Sequence, residues 1–282
     1  VESDELRKRA QQLLHGALFR GRLLAKERLE AGENGAAVSR LLSQVADEVI
    51  SALYDFTTIH MFRARNPTEG ERFSIIAVGG YGRAQLAPSS DLDLLFLRGY
   101  KQNPWTESVT EYMLYMLWDM GLKVGHASRT IDECVRLAKD DHTIQTALLE
   151  ARYLAGDKDL FETLQKRFRK DVVAKTHASF IAAKLKERDE RHARAGASRY
   201  MVEPNIKEGK GGLRDLHTLF WMARRRYGFV RPREYVEAGV FTNEERNSIR
   251  RSLEFLWTVR CHLHFITKRA EERLTFDLQP EM

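Results

Sequence analysis

Two short apolar runs on either side of a glycine turn constrain this chain more than anything else in it. Phe73-Ser74-Ile75-Ile76-Ala77-Val78 ends in Gly79-Gly80-Tyr81-Gly82, and Asp91-Leu92-Asp93-Leu94-Leu95-Phe96-Leu97 follows. Runs this short, rich in β-branched and aromatic residues and bounded by turn residues, read as buried strands. A sheet must therefore form here, whatever the rest of the chain does.

The flanking segments keep helical periodicity. Residues 4–30 and 36–65 form an αα-hairpin, the second helix through Val38, Leu41, Leu42, Val45, Val49, Leu53 and Phe56, with the break at Ala31-Gly32-Glu33-Asn34-Gly35. After the second apolar run, Asn103 can cap a helix with Pro104 in its first turn, and Gly121 ends it. Leu122-Lys123-Val124 and Leu148–Leu154 read as two further strands, separated by a helix that begins near Thr130. Beyond Phe161 the strand signals stop. Helices are expected around Phe180–Arg194 and Leu213–Tyr227, with an irregular polar stretch, Gly196–Gly212, between them. Thr242 with Glu245 makes a capping box for a long final helix. The expectation is a helix-rich α+β protein in three segments: a helical hairpin over 1–65, a sheet core over 66–160 and an all-helical domain over 161–282.

Composition excludes several classes. With 43% hydrophobic and 30% charged residues and 6 prolines, the chain is neither disordered nor collagenous. Only Cys134 and Cys261 occur, which rules out a disulfide framework and makes a reducing cytosol the default. A net charge of +6 suits a phosphate-bearing ligand, but 40 acidic residues dilute it too far for a dedicated nucleic-acid binder. No run is apolar enough to cross a membrane, and the first residues, VESDELRKRA, lack the apolar stretch of a signal peptide. A start without Met and an end at Met282 with no tail-like composition suggest a piece of something longer.

The chemistry concentrates in Val78–Leu97. On a strand, alternate residues face one side about 7 Å apart, so Asp91 and Asp93 project together while Leu92 and Leu94 enter the core. Two carboxylates on one face repel unless a divalent cation sits between them. Magnesium suits the pair, since it takes one or two carboxylates plus substrate phosphates. Gly79 and Gly80 let backbone N–H groups approach a triphosphate, and Ser90 adds a hydroxyl beside the carboxylates. Such an arrangement serves nucleotidyl transfer. An isolated Asp-x-Asp also occurs at solvated strand edges, and an isolated Gly-Gly is only a turn; the combination selects catalysis. Gly209-Lys210-Gly211 lacks the remaining residues of a Walker A loop, and GGYGRA is not a GxGxxG.

The spacing hG-G-x(10)-D-h-D-h resembles the DNA polymerase β-type nucleotidyltransferase superfamily. AVGGYGR, SSDLDLLFL, YMLWDMGLKVGHASRT, AAKLKERDERH, VEPNIKEGKGGLRDLHTLFW and the Arg260–Asp277 stretch are similar to the bifunctional enzymes that uridylylate and de-uridylylate the PII nitrogen-regulatory protein. The resemblance implies a mixed sheet flanked by helices and transfer of UMP from UTP to a tyrosine hydroxyl of PII, releasing pyrophosphate. The resemblance implies Mg2+ as the cofactor, with Mn2+ as its substitute. In that family an HD domain removes the UMP and ACT domains sense glutamine; this sequence has no His-Asp dipeptide, so neither function is expected within it. Two readings compete: an adenylylating relative that acts on glutamine synthetase, and a non-catalytic basic helical module.

The superfamily implies a third carboxylate that binds metal or acts as base. Glu150 is the candidate and Asp119 the outsider, while His126 either contacts phosphate or satisfies a backbone carbonyl. Lys207 and Lys210, with Gly209, Gly211 and Gly212, form a flexible basic loop that closes over the triphosphate or contacts PII. Arg83 either reaches a phosphate or is solvated. Arg224-Arg225-Arg226 sits at a helix C-terminus, where cations meet the dipole. Cys261, His262 and His264 lie on an expected helix, where His262 and His264, two apart, point about 200° from each other, so no zinc site is expected there.

Overall fold

The computed structural model describes residues 2–64, 68–100, 103–194, 201–228 and 231–282. It is α+β and helix-rich, and it divides into two compact units. The first comprises 1–25, 40–86 and 90–174; the second comprises 26–39, 87–89 and 175–282. The expected segments at 1–65, 66–160 and 161–282 do not map one to one onto these units, because the N-terminal helices α1 (Glu2–Glu30) and α2 (Gly35–Phe56) contribute to both.

The first unit is built on β1 (Phe73–Ala77), the one-turn helix α3 (Gly79–Gly82), β2 (Leu92–Arg98), α4 (Pro104–Asp119), β3 (Val124–Thr130), α5 (Ile131–Asp140), α6 (His142–Leu149), β4 (Arg152–Gly156) and α7 (Lys158–Phe168). The strands form one mixed sheet in the order β3-β2-β1-β4. β1 is antiparallel to both β2 and β4, whereas β2 and β3 are parallel. The two central strands are mostly apolar because both sheet faces are covered, with Ser74, Asp93 and Arg98 as the exceptions. Ile75, Ala77, Leu92, Leu94 and Phe96 pack with α2 and α4, while Ile76, Leu95 and Leu97 pack with α5, α6 and α7.

Helix starts follow local chemistry. Asn103 and Thr130 cap α4 and α5 with reciprocal capping-box bonds, and Pro104 occupies the first turn of α4. Two strand boundaries differ from the sequence reading. β3 begins where the expected strand at Leu122–Val124 ends: it is an edge strand of sequence VGHASRT, and its polar, half-exposed side chains hide it from an apolar-run search. Within Leu148–Leu154, the two leucines close α6, where Leu148 is buried, and pairing with β1 starts only at Arg152.

The second unit contains α8 (His177–Arg194), α9 (Leu213–Tyr227), α10 (Pro232–Glu237) and α11 (Asn243–Thr267). Thr242 and Glu245 form the expected capping box at the start of α11. Gly35 lies against the α11 backbone so closely that a Cβ there would stand 2.3 Å from the Thr258 nitrogen. The first residues of the irregular stretch, 196–200, lie outside the described residues. The rest is a tied turn and not a flexible loop. Asn205 Oδ1 accepts from the backbone N–H groups of Lys207 and Glu208, Gly209 N–H donates to Asn205 O, and Arg214 pairs with Glu208. Among the described residues no helix is long and apolar enough to cross a membrane.

Candidate active site

The sheet register brings the C-terminal end of β1 and the N-terminal ends of β2, β3 and β4 to one edge of the first unit. The glycine turn and the acidic pair meet there. Val78 N–H donates to Asp93 O at 3.0 Å, and the chain then enters α3 through Gly79, whose φ of +59° favours glycine. The first N–H groups of a helical turn have no partner within the turn, so this is where an anion can be received.

β2 alternates as expected: Asp91 is exposed, Leu92 buried, Asp93 half-buried and Leu94 buried. The Asp93 carboxylate lies between two glycines. A Cβ on Gly79 would be 3.1 Å from Oδ2, and a Cβ on Gly125, the residue in register with Asp93 on β3, would be 2.5 Å from Oδ1. Gly125 thus provides a recess that any other residue would fill. It went unnoticed in the sequence because nothing local to VGHASRT marks it; only the pairing of β2 with β3 does. A half-buried carboxylate in a recess, one alternation from an exposed carboxylate, supplies oxygen donors of the kind a hard divalent cation takes.

Glu150 is not on a strand. It caps the C-terminus of α6 with a side chain 3% exposed, and its Oε2 accepts from Arg83 Nη1 at 2.6 Å. The structure therefore does not gather Asp91, Asp93 and Glu150 together: among the described residues no group of three His, Cys, Asp or Glu side chains could hold a metal ion. Arg83 is half-buried, and its Nη1 is engaged by Glu150 and not by a phosphate. Asp119 is also spent elsewhere, accepting from Arg7 at 2.8 Å. His126 is in register with Leu94, so it points to the opposite face from Asp93 and packs its ring 6.1 Å from that of Trp118. Ser90 immediately precedes the acidic pair in the first unit.

Lys207 and Lys210 belong to the second unit. Lys207 Nζ is 3.9 Å from Glu272 Oε1, and burial, followed by the nearby Arg260, lowers its pKa. Lys210 is exposed. In the Arg224-Arg225-Arg226 run, Arg225 turns inward instead of meeting solvent at the helix end: it is buried over the Phe180 ring, and burial lowers its pKa to about 10. His264, fully buried, accepts Ser89 N–H on Nδ1 at 3.1 Å, and Cys261 Sγ lies 3.8 Å from Gly35 O.

Fold and site together define a helix-rich α+β protein whose mixed sheet presents a glycine turn against two aspartates. Sequence comparison makes this particular. Residues 179–282 match a family profile described as GlnD PII-uridylyltransferase, and residues 2–114 match one described as glutamate-ammonia ligase adenylyltransferase. The chain is 66% identical over 278 residues, 99% of its length, to the bifunctional uridylyltransferase/uridylyl-removing enzyme of Caulobacter vibrioides. It is 64% identical over 285 residues, again 99% of its length, to the enzyme of the same name from Phenylobacterium zucineum. It belongs to the bifunctional uridylyltransferase/uridylyl-removing enzyme family and spans 30% of the length of each of these relatives.

Proposed function

We propose that this chain carries the uridylyl-transferring chemistry of its family: Mg2+-dependent transfer of UMP from UTP to a tyrosine hydroxyl of the PII protein, with pyrophosphate released. The tyrosine oxygen forms a bond to the α-phosphorus of UTP, the bond to the β-phosphate oxygen breaks, and the phenolic proton is lost. Asp91 and Asp93 would hold magnesium, which when bound neutralises phosphate charge and favours the leaving group. Gly79 and Gly80 present backbone N–H groups to the phosphates, and Ser90 adds a hydroxyl beside them. Glu150 orients Arg83 beneath the turn and is not assigned as a metal ligand or base. The roles assigned here use side chains of the first unit alone.

The observation that carries this reading is the Asp93 carboxylate seated between Gly79 and Gly125 at the head of β2. The comparisons support it from a second direction. The segment containing both aspartates matches an adenylyltransferase family, and the later segment matches a uridylyltransferase family. Nucleotidyl transfer is what the two descriptions share. Adenylyl transfer is accordingly the second reading, and the nucleotide decides between them. With Mg2+, UTP should raise the melting temperature more than ATP does; preferential protection by ATP would overturn the uridylyl assignment. The chain with Asp91→Asn and Asp93→Asn should keep its melting transition yet lose transfer of labelled UMP to PII by about a hundredfold or more, several kcal/mol of transition-state stabilisation. Undiminished transfer would remove the site.

A further inference from the structure

Three consecutive residues at the end of the glycine turn are gripped by one short segment, Glu150–Arg152, that leads into β4. Gly82 meets its backbone: a Cβ on Gly82 would lie 2.3 Å from the Glu150 carbonyl oxygen. Arg83 meets the Glu150 carboxylate at 2.6 Å. Tyr81 meets Arg152, whose Nη2 donates to the Tyr81 carbonyl at 3.1 Å while the guanidinium lies 5.5 Å from the phenol ring centroid. Arg152 also donates to both carboxylate oxygens of Asp47 on α2, at 2.6 and 3.0 Å, and its Nη2 reaches Ser43 Oγ at 3.3 Å. Tyr81 and Ser43 are fully buried.

A glycine turn is costly to order, because each glycine loses more backbone freedom than any other residue. If that cost is met in the folded protein, it does not weaken ligand binding. The contacts around Arg152 have the geometry to meet it. Only a planar guanidinium can bind both oxygens of Asp47 and still direct an N–H to the Tyr81 carbonyl; a lysine cannot.

We infer that Arg152 and Asp47 are positioning residues: with Glu150 they brace Gly79–Arg83 in the conformation that receives the triphosphate, so that α2 sets the affinity for nucleotide without contributing a catalytic group. The role in nucleotide binding rests on the transfer chemistry proposed for Asp91 and Asp93, whereas the brace itself does not. Two readouts keep them apart.

The first is hydrogen exchange at the amides of Gly82, Arg83 and Ala84, which donate to Val78 O, Gly79 O and Tyr81 O. Arg152→Met should speed their exchange by on the order of tenfold or more while the Ile75 and Leu95 amides in the central strands stay protected. The second is steady-state transfer with Mg2+ and UTP. The same variant should raise KM for UTP by about tenfold or more and leave KM for PII unchanged. Arg152→Lys and Asp47→Asn should move both readouts in the same direction, and Asp47→Asn combined with Arg152→Met should be no worse than Arg152→Met alone. If Arg152→Met does not fold, the two milder variants carry the same measurements. Unchanged exchange in the turn overturns the brace, even with normal activity. Faster exchange with an unchanged KM for UTP overturns the positioning role. An unmodified chain that neither binds nor turns over UTP overturns the transfer reading and, with it, the nucleotide role, while exchange still decides the brace.

Discussion

Adding one methyl group at Gly125 tests the geometry of the acidic pair more sharply than removing a carboxylate does. In Gly125→Ala the new Cβ would stand 2.5 Å from Asp93 Oδ1. A carbon–oxygen contact settles at about 3.3 Å, so the carboxylate must retreat by about 0.8 Å. The atom that yields is the end of a side chain, and Gly125 does not occupy the left-handed backbone region, so the fold itself loses little. Alanine restricts the unfolded chain more than glycine does, which offers about 0.4–1 kcal/mol in the other direction. Displacing a reacting group by about 1 Å costs on the order of a hundredfold in rate. The expected outcome is a melting temperature equal to or slightly above that of the unmodified protein, with kcat/KM for UMP transfer reduced between tenfold and a hundredfold, by about 1.4 to 2.7 kcal/mol. The assay pairs thermal denaturation with transfer of labelled UMP to PII. Activity within about twofold of the unmodified chain, well under the loss expected from misplacing a reacting group, would show that the Asp93 position does not matter. A melting temperature lower by several degrees would show that backbone yields and not the carboxylate.

Gly82→Ala should behave in the opposite way, because its Cβ would meet the backbone carbonyl of Glu150 at 2.3 Å and backbone cannot swing aside; a loss of about 1–3 kcal/mol in urea denaturation is expected, and an unchanged midpoint would refute the close approach. Stability should fall with acid in two steps. Burial lowers the His264 pKa below 6.5, so the unfolded chain takes up that proton first, and stability is full above about pH 6.5 and declines below it. Burial disfavours the Glu272 charge, but His264 and a two-pronged contact from Arg260 outweigh it and hold its pKa at about 2 against 4.5, so up to about 3 kcal/mol is present above pH 4.5 and lost as pH falls toward 2; a urea midpoint that stays constant from pH 7 to 4 would contradict the first step. Chelation by EDTA should abolish thermal protection by UTP, Mg2+ or Mn2+ should restore it, and Asp93→Asn should be insensitive to either metal; protection that persists in EDTA would remove the metal from the site.

What the sequence exposed is what neighbouring residues decide among themselves. Asn103, Thr130 and Thr242 announce helix starts because a cap bonds N–H groups two or three residues away. Leu92 and Leu94 share one face and Asp91 and Asp93 the other because a strand alternates, and a strand covered on both faces shows as a mostly apolar run. The glycine turn, the acidic pair and the two central strands were legible on those grounds. The sequence places β3 too early because an edge strand with polar side chains gives no such run, and it puts Glu150 on a strand because Leu148 and Leu149 look alike whether they close a helix or open a strand.

Partnerships between distant residues could not be read in the same way. Whether Glu150 faces a metal or an arginine depended on its position at the end of α6, which placed its carboxylate against Arg83. The recess at Gly125 exists only because β3 pairs in parallel with β2, and the grip of Arg152 on Asp47 joins residues 105 positions apart in the chain. Period and capping act over one turn or one pleat and leave their mark in neighbouring letters. Register and ion pairing are chosen by the packing of whole elements, and no short stretch of sequence contains that choice.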